Sequence, residues 1–131
     1  DVSMRMEHAA FISRKTAEKA KRLGIVLCMQ PNFSFNSVDF TDRLSEGVLK
    51  KNNPFRMLID DVGYVPGEDL LFGSDGMPHG VEYALRSALF PPYDEQELTL
   101  DEFIDGYCIG DETKGLIDVE IQGEEIVSDI S

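Results

Sequence analysis

Gly24-Ile25-Val26-Leu27-Cys28-Met29-Gln30-Pro31 decides the fold. An unbroken apolar run of this length, opened by glycine and closed by Gln-Pro, suits a strand buried on both faces of a parallel sheet. Upstream, Ser13 is placed as an N-cap, and the helix-forming run from Arg14 to Leu23 carries Ala17, Ala20 and Leu23 as its apolar stripe. Gly24 supplies the stop. Earlier still, Val2 to His8 alternates. Met4, Met6 and His8 share one face, and Arg5 and Glu7 the other.

Downstream the strand–loop–helix theme repeats. A long polar loop runs through Asn32, Asn36 and Asp39, with a short helix expected near Asp42 to Leu44. Asn53-Pro54 is a helix start, Asn as cap and Pro at the first helical position, with Phe55, Leu58 and Ile59 inward and Gly63 as the end. Asp69-Leu70-Leu71-Phe72-Gly73 is the third strand, ending at Ser74-Asp75-Gly76. A helix follows from Val81 to Phe90, with Val81, Ala84, Leu85, Ala88 and Leu89 on one side, and Pro91-Pro92 stops it. Thr99 and Glu102 have capping-box spacing ahead of Phe103, Ile104 and Tyr107. The tail, Leu116 to Ile121 and Ile126 to Ile130, alternates around Gln122-Gly123-Glu124-Glu125 as a hairpin or two edge strands.

Three successive strand–helix units define an α/β chain with parallel strands side by side. A barrel and a doubly wound sheet both satisfy this order. The chain's 131 residues fit one domain or a piece of a larger one. With 25 acidic and 12 basic residues the formal charge is −13, a surface that repels phosphate, so neither nucleic acid nor anionic membrane is an expected partner. A hydrophobic fraction of 42% argues against intrinsic disorder, and no apolar run nears the roughly 20 residues of a membrane span. Cys28 and Cys108 imply no disulfide framework, and a cytoplasmic setting is expected.

In α/β folds, reactive groups gather at the carboxyl ends of parallel strands. Those ends deliver Glu7-His8, Met29-Gln30-Pro31 and Ser74-Asp75 to one rim. Imidazole and carboxylate are the usual ligands of catalytic zinc or iron, where one position stays open for water. Equally, His8 reads as a hydrogen-bonded histidine and Asp75 as a helix cap, because two ligands do not make a metal site. The acidic groups from Asp94 to Asp105 and from Asp111 to Asp129 lack EF-hand spacing and read as solvated surface. Gly73 to Gly80 lacks a phosphate-loop lysine. Phe33 and Phe35 read as a substrate wall or as loop anchors, and Cys28 as a small hydrophobe rather than a nucleophile.

Met4-Arg5-Met6-Glu7-His8-Ala9, Leu23-Gly24-Ile25 through Met29-Gln30-Pro31, Asn53-Pro54-Phe55-Arg56, Phe72-Gly73-Ser74-Asp75 and Leu98-Thr99-Leu100-Asp101-Glu102 follow one another in order. Together, from about Arg5 to Asp105, they resemble the carboxyl-terminal part of the metal-dependent amidohydrolase superfamily. The branch they resemble holds N-acyl amino-acid deacylases and formamide deformylase-like enzymes. The resemblance implies a partial (β/α)8 TIM barrel, units six to eight, over residues 1–110, and a β segment of a small accessory domain over 111–131. It implies hydrolysis of a non-peptide C–N bond in a small amide or N-acyl compound through a metal-activated water. His8 matches the strand-six metal ligand, and Asp75 the strand-eight aspartate, both ligand and general base. The implied cofactor is a divalent metal, zinc first. By position alone, Gln30 reads as a substrate contact or simply as a turn with Pro31, and His79 as a substrate contact or, before that, as a solvent-exposed loop histidine. In the barrel so implied, Met4, Met6 and His8 point inward with Leu71, Gly73 and Asp75.

The family's remaining ligands, a His-x-His pair on strand one, a carboxylated lysine or cysteine on strand four and a histidine on strand five, have no counterpart here. Lys114-Gly115-Leu116-Ile117-Asp118 only loosely echoes the family's tail. A barrel of about 250 residues cannot be built from this length. The chain is therefore expected to belong to a longer polypeptide or to pair with a second copy, and to have no turnover alone. The alternative is a catalytically inactive half-barrel serving as an interaction or oligomerisation module.

Overall fold

Arg5–Glu7 (β1), Val26–Met29 (β2) and Leu70–Phe72 (β3) form a parallel sheet in the order β1-β2-β3. The computed structural model describes residues 3–76, 80–108 and 117–130. Ile117–Gln122 (β4) and Glu125–Ile130 (β5) make a separate antiparallel hairpin. The strands do not close into a barrel, and the fold is mixed α/β. Val2 and Leu116, expected at strand ends, lie outside the described residues, as do His79 and Lys114-Gly115.

The ladder register corrects one expectation. Met6 pairs with Leu27 and Leu27 with Leu70, while Glu7 pairs with Cys28 and Cys28 with Leu71. Partners in a ladder share a face. Met6, Leu27 and Leu70 therefore look to one side, and Glu7, Cys28 and Leu71 to the other. On the first side Leu27, Met29, Leu70 and Phe72 are buried against Phe55, Leu58 and Phe103. On the second, Val26, Cys28 and Leu71 are only half-buried, and Arg5 and Glu7 are paired and exposed. So β2 is buried on one face rather than two, and Met6 does not share a side with Leu71.

The helices form largely where the sequence places them. In Arg14–Arg22 (α1) the Ser13 hydroxyl accepts the Thr16 N–H at 3.2 Å, and Ala17 and Ala20 are buried. Leu23 falls off that stripe and is exposed, and Gly24 ends the helix at φ 67°. The polar stretch after Gln30 folds into a 3-10 turn, Pro31–Phe35, and two short helices, Asn36–Asp39 (α2) and Glu46–Leu49 (α3). The short helix expected at Asp42 to Leu44 is displaced to α3. There the Ser45 carbonyl accepts two N–H groups and Leu49 finds a buried place, whereas Leu44 stays exposed.

After Pro54 the chain makes a helical turn that widens to π geometry over Met57–Val62 and ends at Gly63, φ 85°. Phe55 and Leu58 are buried, as expected. Val81–Leu89 (α4) buries Ala84, Leu85 and Ala88, and lies against the Pro31–Phe35 turn and β5. Leu100–Tyr107 (α5) opens with a complete capping box. The Thr99 hydroxyl accepts the Glu102 N–H, and the Glu102 carboxylate accepts the Thr99 N–H. Gly106 lets α5 approach β3: a Cβ there would meet two Phe72 ring carbons at 2.5 Å. Phe72 stands edge-on to Phe55 at 5.4 Å and stacks with Phe103 at 6.4 Å. In the hairpin, Gly123 takes φ 65° at the turn, and Ile126 reaches the core. No helix among the described residues is long and apolar enough to cross a membrane.

Candidate functional site

The carboxyl ends of β1 and β3 bring His8 and Asp75 together. His8 Nε2 stands 3.7 Å from Asp75 Oδ2, and the two side chains are 54% and 53% exposed. Their strands are not neighbours. With β2 between them the backbones lie roughly 10 Å apart, twice the interstrand spacing, so the side chains meet above the end of β2. Strict alternation would send them apart, His8 following Met6 and Asp75 following Leu71. The backbone breaks that alternation at both places. His8 has φ 65°, Ala9 φ 50° and Asp75 φ 52°, left-handed conformations uncommon outside glycine. The His8 N–H still reaches the Cys28 carbonyl at 2.9 Å, and the Gly73 N–H the Met29 carbonyl at 3.1 Å, so the ladder runs up to the turns.

At 3.7 Å the pair is beyond hydrogen-bond reach. Zinc lies about 2.0–2.2 Å from imidazole nitrogen and carboxylate oxygen, which puts two ligands of one ion roughly 3–4 Å apart. The pair fits as two donors of one cation by type and spacing. The described residues hold no group of three His, Cys, Asp or Glu side chains that would complete such a set.

Gln30 is buried at 4% exposure. Its Nε2 lies 3.5 Å from the Cys28 carbonyl, and its Oε1 has no partner among the described residues. Its backbone carbonyl accepts Asn53 Nδ2 at 2.9 Å. Gln30 is thus a buried residue at the carboxyl end of β2, while His79 lies outside the described residues. Asn53 itself departs from the reading as a helix cap: at φ 47° its amide turns back to Gln30 and to Ser34 Oγ, 3.1 Å away.

Two residues of the turn after β2 touch the pair's surroundings. The Phe33 ring stacks on the His8 ring, centroids 6.2 Å apart and planes 15° apart. The Asn32 amide donates to the carbonyl of Ser74 at 2.8 Å, one residue before Asp75. The sequence reads Phe33 as a substrate wall or a loop anchor and marks no role for Asn32, because no motif signals an amide that reaches across to another strand. On the open face of the sheet, burial and a hydrogen bond to Glu7 push the Cys28 thiol above its ordinary range, which favours the protonated form.

Compared with protein-family models, with curated proteins and with solved structures, the chain matches none of them.

Proposed function

We propose that this chain is the carboxyl-terminal part of a metal-dependent amidohydrolase that cleaves a non-peptide C–N bond in an amide or N-acyl compound. The observation that carries the reading is the approach of His8 and Asp75 to 3.7 Å at the carboxyl ends of two non-adjacent parallel strands. The ordered segments resembling that superfamily support it, and on this reading the three parallel strands are units six to eight of its barrel. His8 and Asp75 would hold the divalent cation, with further donors coming from elsewhere in the barrel. When bound, the cation supplies Lewis acidity and lowers the pKa of water.

Asp75 then acts as general base. It takes a proton from the water that adds to the carbonyl carbon, and returns it to the nitrogen as the C–N bond breaks, leaving a carboxylic acid and an amine. Its half-exposed position lets it reach both water and substrate. His8 holds its imidazole toward the same point. The test is turnover of N-acyl amino acids and N-substituted formamides by the complete gene product under saturating Zn²⁺. Asp75→Asn and His8→Ala should each abolish it, and wild-type turnover by Asp75→Asn would refute the assigned role.

A second reading is a catalytically silent half-barrel acting as an interaction module. The half-open face of Val26, Cys28 and Leu71 favours it, as does the outer edge of β1, which has no strand partner among the described residues. That reading predicts no retained divalent ion after reconstitution at neutral pH.

A further inference from the structure

We infer that the Pro31–Phe35 turn sets the spacing of His8 and Asp75, with Asn32 and Phe33 as the positioning residues. The inference rests on reading that pair as the functional site. The pair cannot hold itself, being too far apart for a hydrogen bond, and each member sits on left-handed backbone that its surroundings must impose. Consecutive residues of one turn meet both sides. Phe33 stacks near-parallel to the imidazole from β1, centroids 6.2 Å apart, and Asn32 donates to the Ser74 carbonyl just past β3.

The turn has a rigid backing. Asn53 Nδ2 donates to the Gln30 carbonyl and Ser34 Oγ, and Asn52 Nδ2 to the Phe33 carbonyl at 2.9 Å and Ser37 Oγ at 3.0 Å. Gln96 Nε2 donates to Ser37 Oγ and the Asn52 carbonyl, each at 2.9 Å. Asn32, Asn52, Asn53 and Gln96 are all buried. The nitrogen of each of these amides donates, while Asn32 Oδ1 and Gln96 Oε1 have no partner among the described residues. Since a displaced turn would strand those buried nitrogens as well, the donated bonds from Gln30 to Ser37 favour one geometry for it. Phe33 and Asn32 inherit that rigidity and transmit it to the two strand ends.

The test uses the full chain with ¹³C-labelled histidine at fixed neutral pH, the His8 ring signals being assigned by His8→Ala. Asp75→Asn should shift those signals. Asn32→Ala and the similarly sized, uncharged Asn32→Leu should shift them the same way, and Asp75→Asn should add nothing in either background. Phe33→Leu should move the ring signals and Phe33→Tyr restore them. Signals left at wild-type positions in Asn32 and Phe33→Leu variants, with Asp75→Asn keeping its full effect, would overturn the inference.

A Co²⁺ titration of the complete gene product, which would carry the further donors, separates this from the underlying reading. Asn32→Ala and Phe33→Leu should weaken binding roughly tenfold or more, as loss of residues behind metal ligands does, with Phe33→Tyr close to wild type. If Co²⁺ affinity depends on His8 and Asp75 but not on Asn32 or Phe33, the positioning role is wrong. If it depends on neither His8 nor Asp75, the metal reading fails and the ring signals alone decide the turn's role.

Discussion

His8 and Asp75 meet at 3.7 Å although the register of their strands assigns them to opposite faces of the sheet. Left-handed residues just past the strands, His8 and Ala9 after β1 and Asp75 three residues beyond β3, accompany the meeting. A turn of this kind costs a side chain some conformational energy, and such strain gathers where geometry serves a function.

That strain gives the first prediction. Asparagine tolerates left-handed backbone as well as aspartate does, and residue 75 is half exposed. Asp75→Asn should change unfolding free energy by no more than about 0.5 kcal/mol in a urea titration. Asp75→Val, β-branched at φ 52°, should cost about 1–2 kcal/mol. Equal stability of the two variants would show that the left-handed turn is not held in solution.

Gly106 is the close-contact point of α5 on β3. Gly106→Ala forces its methyl group into the Phe72 ring, which is itself wedged between Phe55 and Phe103. Overpacking of this kind costs about 1–3 kcal/mol, although alanine is the better helix former. A thermal melt of the variant should therefore fall below wild type rather than above it.

Glu102 links acid stability to the capping box. Burial pushes its carboxyl upward, but the Arg56 guanidinium at 2.7 Å and the Thr99 N–H and hydroxyl outweigh this and hold it below the ordinary range. A folded value lower than the unfolded one, about 4.3, means stabilisation that is complete above the unfolded value and fades as pH falls through the folded one. Urea midpoints from neutral to acid pH should show wild type above Glu102→Gln at neutrality, with the gap closing below about pH 4. Thr99→Ala should cost about 1 kcal/mol from loss of the cap. A pH-independent gap would contradict the pairing.

The two cysteines should differ in alkylation. Cys108 is exposed, while Cys28 is half-buried with its thiol pushed upward by burial and Glu7. Iodoacetamide at neutral pH should label Cys108 first and leave Cys28 largely unmodified in the native state, as mass spectrometry of tryptic peptides would read. Preferential labelling of Cys28 would contradict the placement of β2.

Much of the frame was legible in the residues. The run Ile25 to Met29, the Ala17/Ala20 stripe, the Phe55/Leu58 face and the Thr99–Glu102 spacing each follow from periodicity or capping chemistry, which act locally. So does the hairpin about Gly123. The rim position of His8 and Asp75 was legible too, from strand ends alone. That the two side chains point together is expected from the resemblance alone, since alternation in the observed register sends them apart. Alternation gives a side only while the strand lasts, and the register that sets Met6 beside Leu27 is a non-local choice. The stretch through Asn32, Asn36 and Asp39, with its short helix expected near Asp42 to Leu44, reads as polar loop because its order comes from buried amides, Asn52, Asn53 and Gln96, whose partners lie 15 to 59 residues away. Polarity in sequence does not distinguish an amide bonded inside from one facing water.

The central claim is that His8 and Asp75 share one cation. Its most direct measurement is the anomalous difference map of crystals of the complete gene product reconstituted with Zn²⁺ at neutral pH. A zinc peak about 2.0–2.2 Å from both His8 Nε2 and Asp75 Oδ2 is the predicted result. A map with no peak between them, with the imidazole and carboxylate hydrogen-bonded or turned apart, would contradict it.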